Sequence, residues 1–270
     1  MHSKQKMMKY LLSEIARIAG GWLSGRDREV TGVVFDSRGE FFAPGSLFVA
    51  LRGERIDGTQ FVREMTGKGV TAFLVPETYP AAEESPEAGY VRVPDTLAAL
   101  QRLAADWRSR LTLPVVAVTG SNGKTVVKEW IAQLWDRDSR IFRSPKSYNS
   151  QLGVALSLLM CDPKDRIAVI EAGISKKGEM ARLQRMVRPD IGIITTIGEA
   201  HQENFASLEE KLNEKLTLME GCRHIIYCGD KPMIRRAVEA RFTPRQRFSW
   251  GGSDTDDLRV LAVETDRSRS

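Results

Sequence analysis

The chain has 270 residues, of which 42% are hydrophobic and 28% are charged, and its formal net charge is +5. This composition is typical of a water-soluble globular protein of about two domains. No apolar run approaches the roughly 20 residues that cross a bilayer, and the basic start lacks the apolar core of a secretion signal, so we expect a cytoplasmic protein. Basic residues are scattered among acidic ones without interleaved aromatics, which argues against nucleic-acid binding. The three cysteines show neither a disulfide framework nor a metal-binding CxxC pair.

Residues 1–110 are predicted to form a first, small α/β domain. Short apolar runs predict strands over residues 46–51, 70–75 and 90–93, and helical patterns cover residues 60–68 and 96–110. Asp95 directly precedes the second of these helices and is its predicted N-cap. The proline-rich stretch 76–94 is turn-rich and predicts a surface loop.

The second domain, residues 111–270, opens with the most informative segment of the chain, residues 114–125 (PVVAVTGSNGKT). An apolar strand runs into a glycine-rich turn and then into a helix over residues 126–135, which is the context of a phosphate-binding loop. Val118 stands where the GxxxxGK[ST] motif has its first glycine. The candidate ATP-binding residues are Thr119, Gly120, Ser121, Asn122, Gly123, Lys124 and Thr125.

The rest of this domain alternates strands and helices. Strands are predicted over residues 167–171, 191–197 and 225–228, and helices over residues 151–160, 178–187 and 207–220. Each strand is a nearly continuous apolar run, so we predict a doubly wound parallel sheet of the P-loop ATPase type. Ligands bind beyond the carboxyl ends of such strands. The tail from Gly251 onward is expected to be loosely structured.

Three side chains near the predicted strand ends are candidate site residues. Glu171 closes a strand, where its carboxylate either meets Mg²⁺ together with Thr125 or caps a helix or forms a salt bridge. His201 follows the next strand, and a structural role for it is as plausible as a role in the site. Lys215 lies at the edge of an apolar helix stripe, with Lys211 further round, so its amine is either partly desolvated and able to take up CO₂ or extends out of the core.

These residues carry a resemblance to the Mur ligases. The loop TGSNGKT is similar to the family's TG[TS]NGKT, which also lacks the first glycine of the motif. Within the family, KSYNSQLG (146–153), IEAG (170–173), VRPDI (187–191) and AHQENFASL (200–208) resemble the branch that adds D-alanyl-D-alanine. FDSR (35–38), PGSLFVA (44–50) and GERIDG (53–58) are similar to the family's uridine-nucleotide-binding domain, although Thr59 replaces the usual histidine.

The resemblance implies an ATP-dependent amide ligase of peptidoglycan precursor synthesis. ATP phosphorylates the carboxylate of a UDP-N-acetylmuramoyl tripeptide, and the amine of D-alanyl-D-alanine attacks the acyl phosphate. Catalytic roles would fall to Lys124, Lys215 and His201. Thr125 and Glu171 would hold one Mg²⁺, and Glu171, His201 and Lys215 as a carbamate would hold a second. Ser147 and Asn149 would position the substrate, and Ser37 and Arg38 would bind its uridine diphosphate.

Two further expectations follow from the resemblance. Family members run beyond 270 residues into the rest of the central sheet and a third domain, so this chain resembles a fragment with little or no ligase activity of its own. Whether the parent chain carries a further domain fused downstream is left open by the sequence.

The alternative functions are another ligase of the superfamily (the third-residue-adding or the folylpolyglutamate type) and a non-catalytic nucleotide-binding module. A nucleic-acid-dependent ATPase is disfavoured by the absent basic-aromatic surface.

Overall fold

The computed structural model describes residues 8–53, 56–135, 140–198 and 202–263. The strands are β1 (Tyr10–Leu11), β2 (Trp22–Gly25), β3 (Glu29–Val30), β4 (Gly32–Val34), β5 (Ser46–Val49), β6 (Ala72–Pro76), β7 (Gly89–Val93), β8 (Val115–Thr119), β9 (Ile141–Arg143), β10 (Ile167–Glu171), β11 (Ile191–Ile194), β12 (His224–Cys228), β13 (Arg247–Gly251) and β14 (Leu258–Arg259). The α-helices are α1 (Leu12–Ala19), α2 (Val62–Gly67), α3 (Thr96–Arg110), α4 (Lys124–Leu134), α5 (Gln151–Met160), α6 (Glu179–Val187), α7 (Leu208–Leu216) and α8 (Pro232–Arg241). None of the helices in these ranges has the length and apolarity of a membrane span.

The chain divides into two compact units, Met1–Leu113 with Gln151–Asp165, and Pro114–Ser150 with Arg166–Ser270. Helix α5, which follows the first strands of the second unit in sequence, therefore groups with the first unit. There it packs against α3, and the indole of Trp107 donates a 3.2 Å hydrogen bond to the carbonyl of Cys161 just beyond α5.

The first unit is built on a five-stranded sheet in the order β2-β7-β6-β5-β4. Strand β2 is antiparallel to β7, and the other neighbours are parallel. Its core includes the stacked rings of Phe73 and Tyr90, whose centroids are 5.0 Å apart. The predicted N-cap of α3 is confirmed, because the Asp95 carboxylate accepts hydrogen bonds from the amides of Leu97 and Ala98 at 2.9 and 3.0 Å.

The second unit contains a seven-stranded sheet in the order β14-β13-β12-β11-β8-β10-β9. All of its strand pairs are parallel, as predicted. Every residue of β8 and β10 is buried, as expected for strands covered on both faces. Strand β8 lies between β10 and β11, with Glu171 opposite Val118 and Ile194 opposite Thr119. The strand order reverses at β8, so the carboxyl ends of these three strands form the edge where such sheets bind ligands.

Several element bounds differ from the sequence predictions. The strand predicted over residues 191–197 ends at Ile194, because Thr195 and Thr196 instead bond to the loop after β8. The expectation of a loose tail from Gly251 is wrong for β14, which pairs with β13 at the end of the sheet. Asp257 connects the two strands, since its carboxylate accepts a 2.8 Å hydrogen bond from the amide of Ser249.

Candidate active site

The glycine-rich loop, residues 120–123, connects the end of β8 to the start of α4. Gly120 has φ +145°, and a Cβ built on it would lie 1.9 Å from Thr195 Oγ1, so only glycine fits there. Gly123 has φ +81° and is the N-cap of α4. The Ser121 amide donates to the Thr196 carbonyl at 2.7 Å, and Thr195 Oγ1 donates to the Asn122 carbonyl at 2.6 Å. The segment after β11 thus holds the loop at the N-terminus of a helix, where an anion is favoured.

Lys124 lies across this loop. Its Nζ donates hydrogen bonds to the carbonyls of Gly120 and Ser121, each at 3.0 Å. Burial lowers the pKa of Lys124, while the charge of Glu171 acts in the opposite direction. Among the described residues, this ammonium group hydrogen-bonds to the two neutral carbonyls and to no carboxylate, so its charge is available to an anion bound at the loop.

Glu171 is the buried acid of the site, with 1% of its surface exposed. Its Oε2 accepts a 2.8 Å hydrogen bond from Thr125 Oγ1, and its Oε1 accepts a 2.7 Å bond from Asn149 Nδ2. The structure therefore brings together three of the predicted site residues, from the start of α4, the loop before α5 and the end of β10. A hydroxyl and a carboxylate side by side are hard oxygen donors of the kind that Mg²⁺ prefers.

Two lysines of α7 are also buried, and one of them, Lys215, is close enough to Lys124 for their charges to interact. Lys215 is 3% exposed, and burial, with the charges of Lys124 and Lys211, lowers its pKa to about 8. The sequence pattern places Lys211 further round from the apolar stripe than Lys215, and the structure shows that it is buried as well. Lys211 is 1% exposed, and its Nζ donates a 2.6 Å hydrogen bond to the Gly198 carbonyl, because the loop after β11 folds over this face of α7.

Lys128 is a further buried residue of the site that sequence reasoning missed. It lies one turn after Lys124 on α4 and is 0% exposed. Its Nζ donates to the Ser144 carbonyl at 2.9 Å and lies 3.9 Å from Glu171 Oε2. The sequence did not indicate its role, since Ser144 and Glu171 are far from it along the chain.

The remaining predicted site residues lie elsewhere. Ser147 is exposed, and its carbonyl accepts a 2.8 Å hydrogen bond from the Asn149 amide. Ser37 and Arg38 belong to the first unit, where the Arg38 guanidinium binds the Asp36 carboxylate at 2.6 Å and lowers its pKa to about 2. His201 lies outside the described residues. Within the described ranges, no three side chains of His, Cys, Asp or Glu cluster in a way that would hold a metal ion.

Comparison with known families decides which family these features represent. A sequence model described as "Mur ligase middle domain" matches residues 118–268, more than half of the chain, and one described as "Mur ligase family, catalytic domain" matches residues 29–108. The chain belongs to the Mur ligase family. The resemblance inferred from the sequence motifs is thereby confirmed at the level of the family.

Two individual Mur ligases show how far the similarity extends along the chain. The chain is 35% identical over 241 residues to the UDP-N-acetylmuramoyl-tripeptide–D-alanyl-D-alanine ligase of Bacillus subtilis, covering 87% of this chain and 52% of the relative. It is 34% identical to the enzyme of the same name from Escherichia coli, covering 80% of this chain and 46% of that protein. The chain thus spans about half the length of the curated Mur ligases that it matches.

Solved structures agree with the fold. MurF from Acinetobacter baumannii has a TM-score of 0.79 and 26% identity, covering 91% of this chain and 54% of that one. MurF from Thermotoga maritima, solved in complex with ADP, has a TM-score of 0.69 and 28% identity, covering 82% and 50%. The α/β architecture expected for a Mur ligase with a P-loop-type central domain is confirmed.

Proposed function

We propose that the full-length protein containing this chain is an ATP-dependent ligase that joins D-alanyl-D-alanine to a UDP-N-acetylmuramoyl tripeptide. The carboxylate of the tripeptide attacks the terminal phosphorus of ATP, which yields an acyl phosphate and ADP. The dipeptide amine then attacks the acyl carbon, so that an amide forms and phosphate and a proton leave. This reaction belongs to the cytoplasmic stage of peptidoglycan synthesis.

The observation that carries the proposal is the meeting of the Thr119–Thr125 loop with Glu171 at one edge of a parallel sheet. The loop amides and the α4 N-terminus favour the phosphates of ATP. Lys124 now bonds to two carbonyls of its own loop, and a bound phosphate would be the stronger acceptor for its ammonium group. Its charge then offsets negative charge on the transferring phosphoryl group.

Thr125 and Glu171 fit a Mg²⁺ ion. The Glu171 carboxylate is almost fully buried, and its nearest cation among the described residues, Lys128, is 3.9 Å away. A buried carboxylate is costly unless a cation offsets it. When bound, Mg²⁺ would neutralise charge on the phosphate oxygens. Independently of turnover, Mg²⁺ is expected to raise the affinity for ADP in a calorimetric titration, and Glu171→Gln is expected to remove that increase.

We also propose that Lys215 becomes a carbamate. With a pKa of about 8, roughly a tenth of its amine is neutral at pH 7, far more than for an ordinary lysine. The ammonium group first loses one proton, and the neutral nitrogen then bonds to the carbon of CO₂ and releases a second proton, so that a buried cation becomes an anion with two oxygens. Together with Glu171 and His201, that anion would hold a second Mg²⁺.

Candidate substrate-binding residues occur in each unit. In the first unit, Arg38 has 88% of its side chain exposed and binds Asp36, so its forked guanidinium is accessible to the diphosphate of a UDP-linked substrate. Ser37 lies beside it. In the second unit, Asn149 contacts Glu171, and the exposed Ser147 lies two residues earlier, which favours a role for both in holding the tripeptide near the phosphate loop.

The test measures phosphate release in a coupled assay, using the longest natural chain that carries this sequence. The UDP-muramoyl tripeptide is supplied with and without D-alanyl-D-alanine. Phosphate that appears only when both substrates are present supports the proposal. Equal stimulation by L-lysine or glutamate would move the assignment to a sister ligase. ADP binding without amide formation under any of these conditions would identify a nucleotide-binding module instead.

A further inference from the structure

Lys128 is one of the largest fully buried side chains of the chain, although its head group is a cation. Burying an ammonium group is unfavourable unless hydrogen bonds and opposite charges compensate it. The burial of a cation one turn after the phosphate loop therefore depends on polar contacts of the ammonium group and not on apolar packing alone.

The ammonium group of Lys128 contacts three different parts of the second unit. Its Nζ donates to the carbonyl of Ser144 at 2.9 Å and to the carbonyl of Lys146. It also lies 3.2 Å from Glu129 Oε1 on its own helix and 3.9 Å from Glu171 Oε2. Two of the acceptors are main-chain carbonyls in the segment between β9 and α5, which we call the 144–149 segment.

The 144–149 segment needs such an anchor. Lys146 has φ +47°, a left-handed conformation that is unfavourable for a residue with a side chain. Such a backbone persists only when surrounding contacts hold it, and the bond from Lys128 ends on the carbonyl of this same residue. Ser144 is held from the other side as well, since its Oγ accepts a 3.1 Å hydrogen bond from the Glu171 amide.

The segment in turn carries Asn149, whose Nδ2 donates to Glu171 Oε1 at 2.7 Å. Glu171 Oε2 accepts from Thr125, on the same helix as Lys128. Lys128 and Asn149 thus connect α4, the 144–149 segment and the end of β10 into one closed set of contacts around the buried acid.

We propose that Lys128 is a positioning residue: by its two carbonyl contacts it fixes the 144–149 segment against α4 and so places Asn149 on Glu171. It acts through these protein groups, which are its contacts among the described residues. The expected effect of Lys128 on nucleotide affinity rests on the proposed function. Its expected effect on the conformation of the 144–149 segment does not.

The first experiment is hydrogen–deuterium exchange of the 270-residue chain, comparing Lys128→Met with the wild type. Methionine keeps the length of the side chain and removes both the charge and the donors. Peptides that cover residues 144–150 are expected to exchange at least tenfold faster, while peptides of β8 and β10 stay within twofold. Lys176→Met is the matched control, because Lys176 is exposed and its side chain has no partner among the described residues. Unchanged exchange at 144–150, or equal acceleration in β8 and β10, would overturn the proposal.

The second experiment separates positioning from general stability by a double-mutant cycle on calorimetric ADP binding in the presence of Mg²⁺. Lys128→Met and Asn149→Ala are each expected to weaken binding about fivefold, and the double variant no more than about tenfold, because both act through Glu171. Lys128→Arg, which keeps a cation and its donors, is expected to bind within threefold of the wild type. Additive losses of about 25-fold in the double variant would contradict the proposal. If the wild type does not bind ADP at all, the proposed function fails, and the exchange experiment still decides the role of Lys128.

Discussion

Thr125 donates a 2.8 Å hydrogen bond to Glu171, although the two residues are 46 positions apart in the chain. The contact arises because β8 and β10 are parallel neighbours with Glu171 opposite Val118, so the loop after one strand meets the last residue of the other. A helix N-terminus, a hydroxyl and a buried carboxylate consequently lie at one edge of the sheet.

Removing this hydroxyl is expected to weaken nucleotide binding selectively in the presence of metal. Thr125→Val keeps the shape of the side chain and deletes the donor to a charged acceptor, which is worth about 1.5–3 kcal/mol. We expect ADP affinity with Mg²⁺ to fall at least tenfold in calorimetry, while Thr125→Ser, which keeps the hydroxyl, stays within threefold. Equal losses in both variants would mean that the methyl group, and not the hydroxyl, matters.

Alanine at Gly120 is expected to destabilise the second unit strongly. The added Cβ would lie 1.9 Å from Thr195 Oγ1, and φ +145° is unfavourable for alanine. The combined clash and strain should lower the free energy of unfolding by about 3 kcal/mol or more in urea denaturation. Gly178→Ala is the control, since Gly178 also has positive φ (+83°) but nothing lies within 4 Å of its Cβ. Its cost should be about 1 kcal/mol, and a similar cost at the two sites would refute the clash.

Lys215 makes stability depend on pH. Its pKa is lowered from 10.5 to about 8 by burial and by the nearby lysines. Between these values the unfolded chain binds more protons than the folded chain, so the free energy of unfolding rises with pH. Relative to Lys215→Met, the wild type should gain roughly 2 kcal/mol between pH 7.5 and 10 in CO₂-free buffer. A flat difference curve, like the one expected for Lys176→Met, would show that Lys215 keeps an ordinary pKa.

The buried Arg92 is expected to stabilise the loop before β7. It is 6% exposed, binds Glu84 Oε1 at 2.6 Å and donates to the Tyr79 carbonyl, also at 2.6 Å. Arg92→Met leaves these acceptors buried and should lower the free energy of unfolding by about 3 kcal/mol or more. Arg26, which is 55% exposed and pairs with Glu87, gives the control Arg26→Met. Its cost should be within about 1 kcal/mol, and thermal denaturation that ranks the two variants equally would contradict this account.

Sequence patterns were sufficient for the parts of the fold that depend on local chemistry. The bounds of β10 and α5 agree with the prediction at every residue, because continuous apolar runs between turn residues leave little choice. Helix α8 and strand β13 were missed. Four charged residues interrupt the apolar positions of the helix, which opens at a proline. The strand exposes Phe248 and Trp250 on one face and so lacks the continuous apolar run of a buried strand.

The residues of the candidate site also divide into those that sequence patterns predicted and those that they did not. The strand-end rule predicted that the loop and Glu171 meet, since the carboxyl ends of parallel strands share an edge. Lys128 and Lys211 were beyond sequence reasoning. Both are buried by carbonyls of distant loops, those of Ser144 and Gly198, and no spacing in the sequence indicates where a main-chain oxygen will point.

The carbonyl of Gly198 accepts two hydrogen bonds, at 3.1 Å from Ser121 Oγ in the phosphate loop and at 2.6 Å from Lys211 Nζ on α7. One oxygen atom therefore links the phosphate loop to α7. If an anion that binds the loop displaces Ser121, its binding is coupled to any ligand that binds at α7, and each of the two would change the affinity for the other by the same factor.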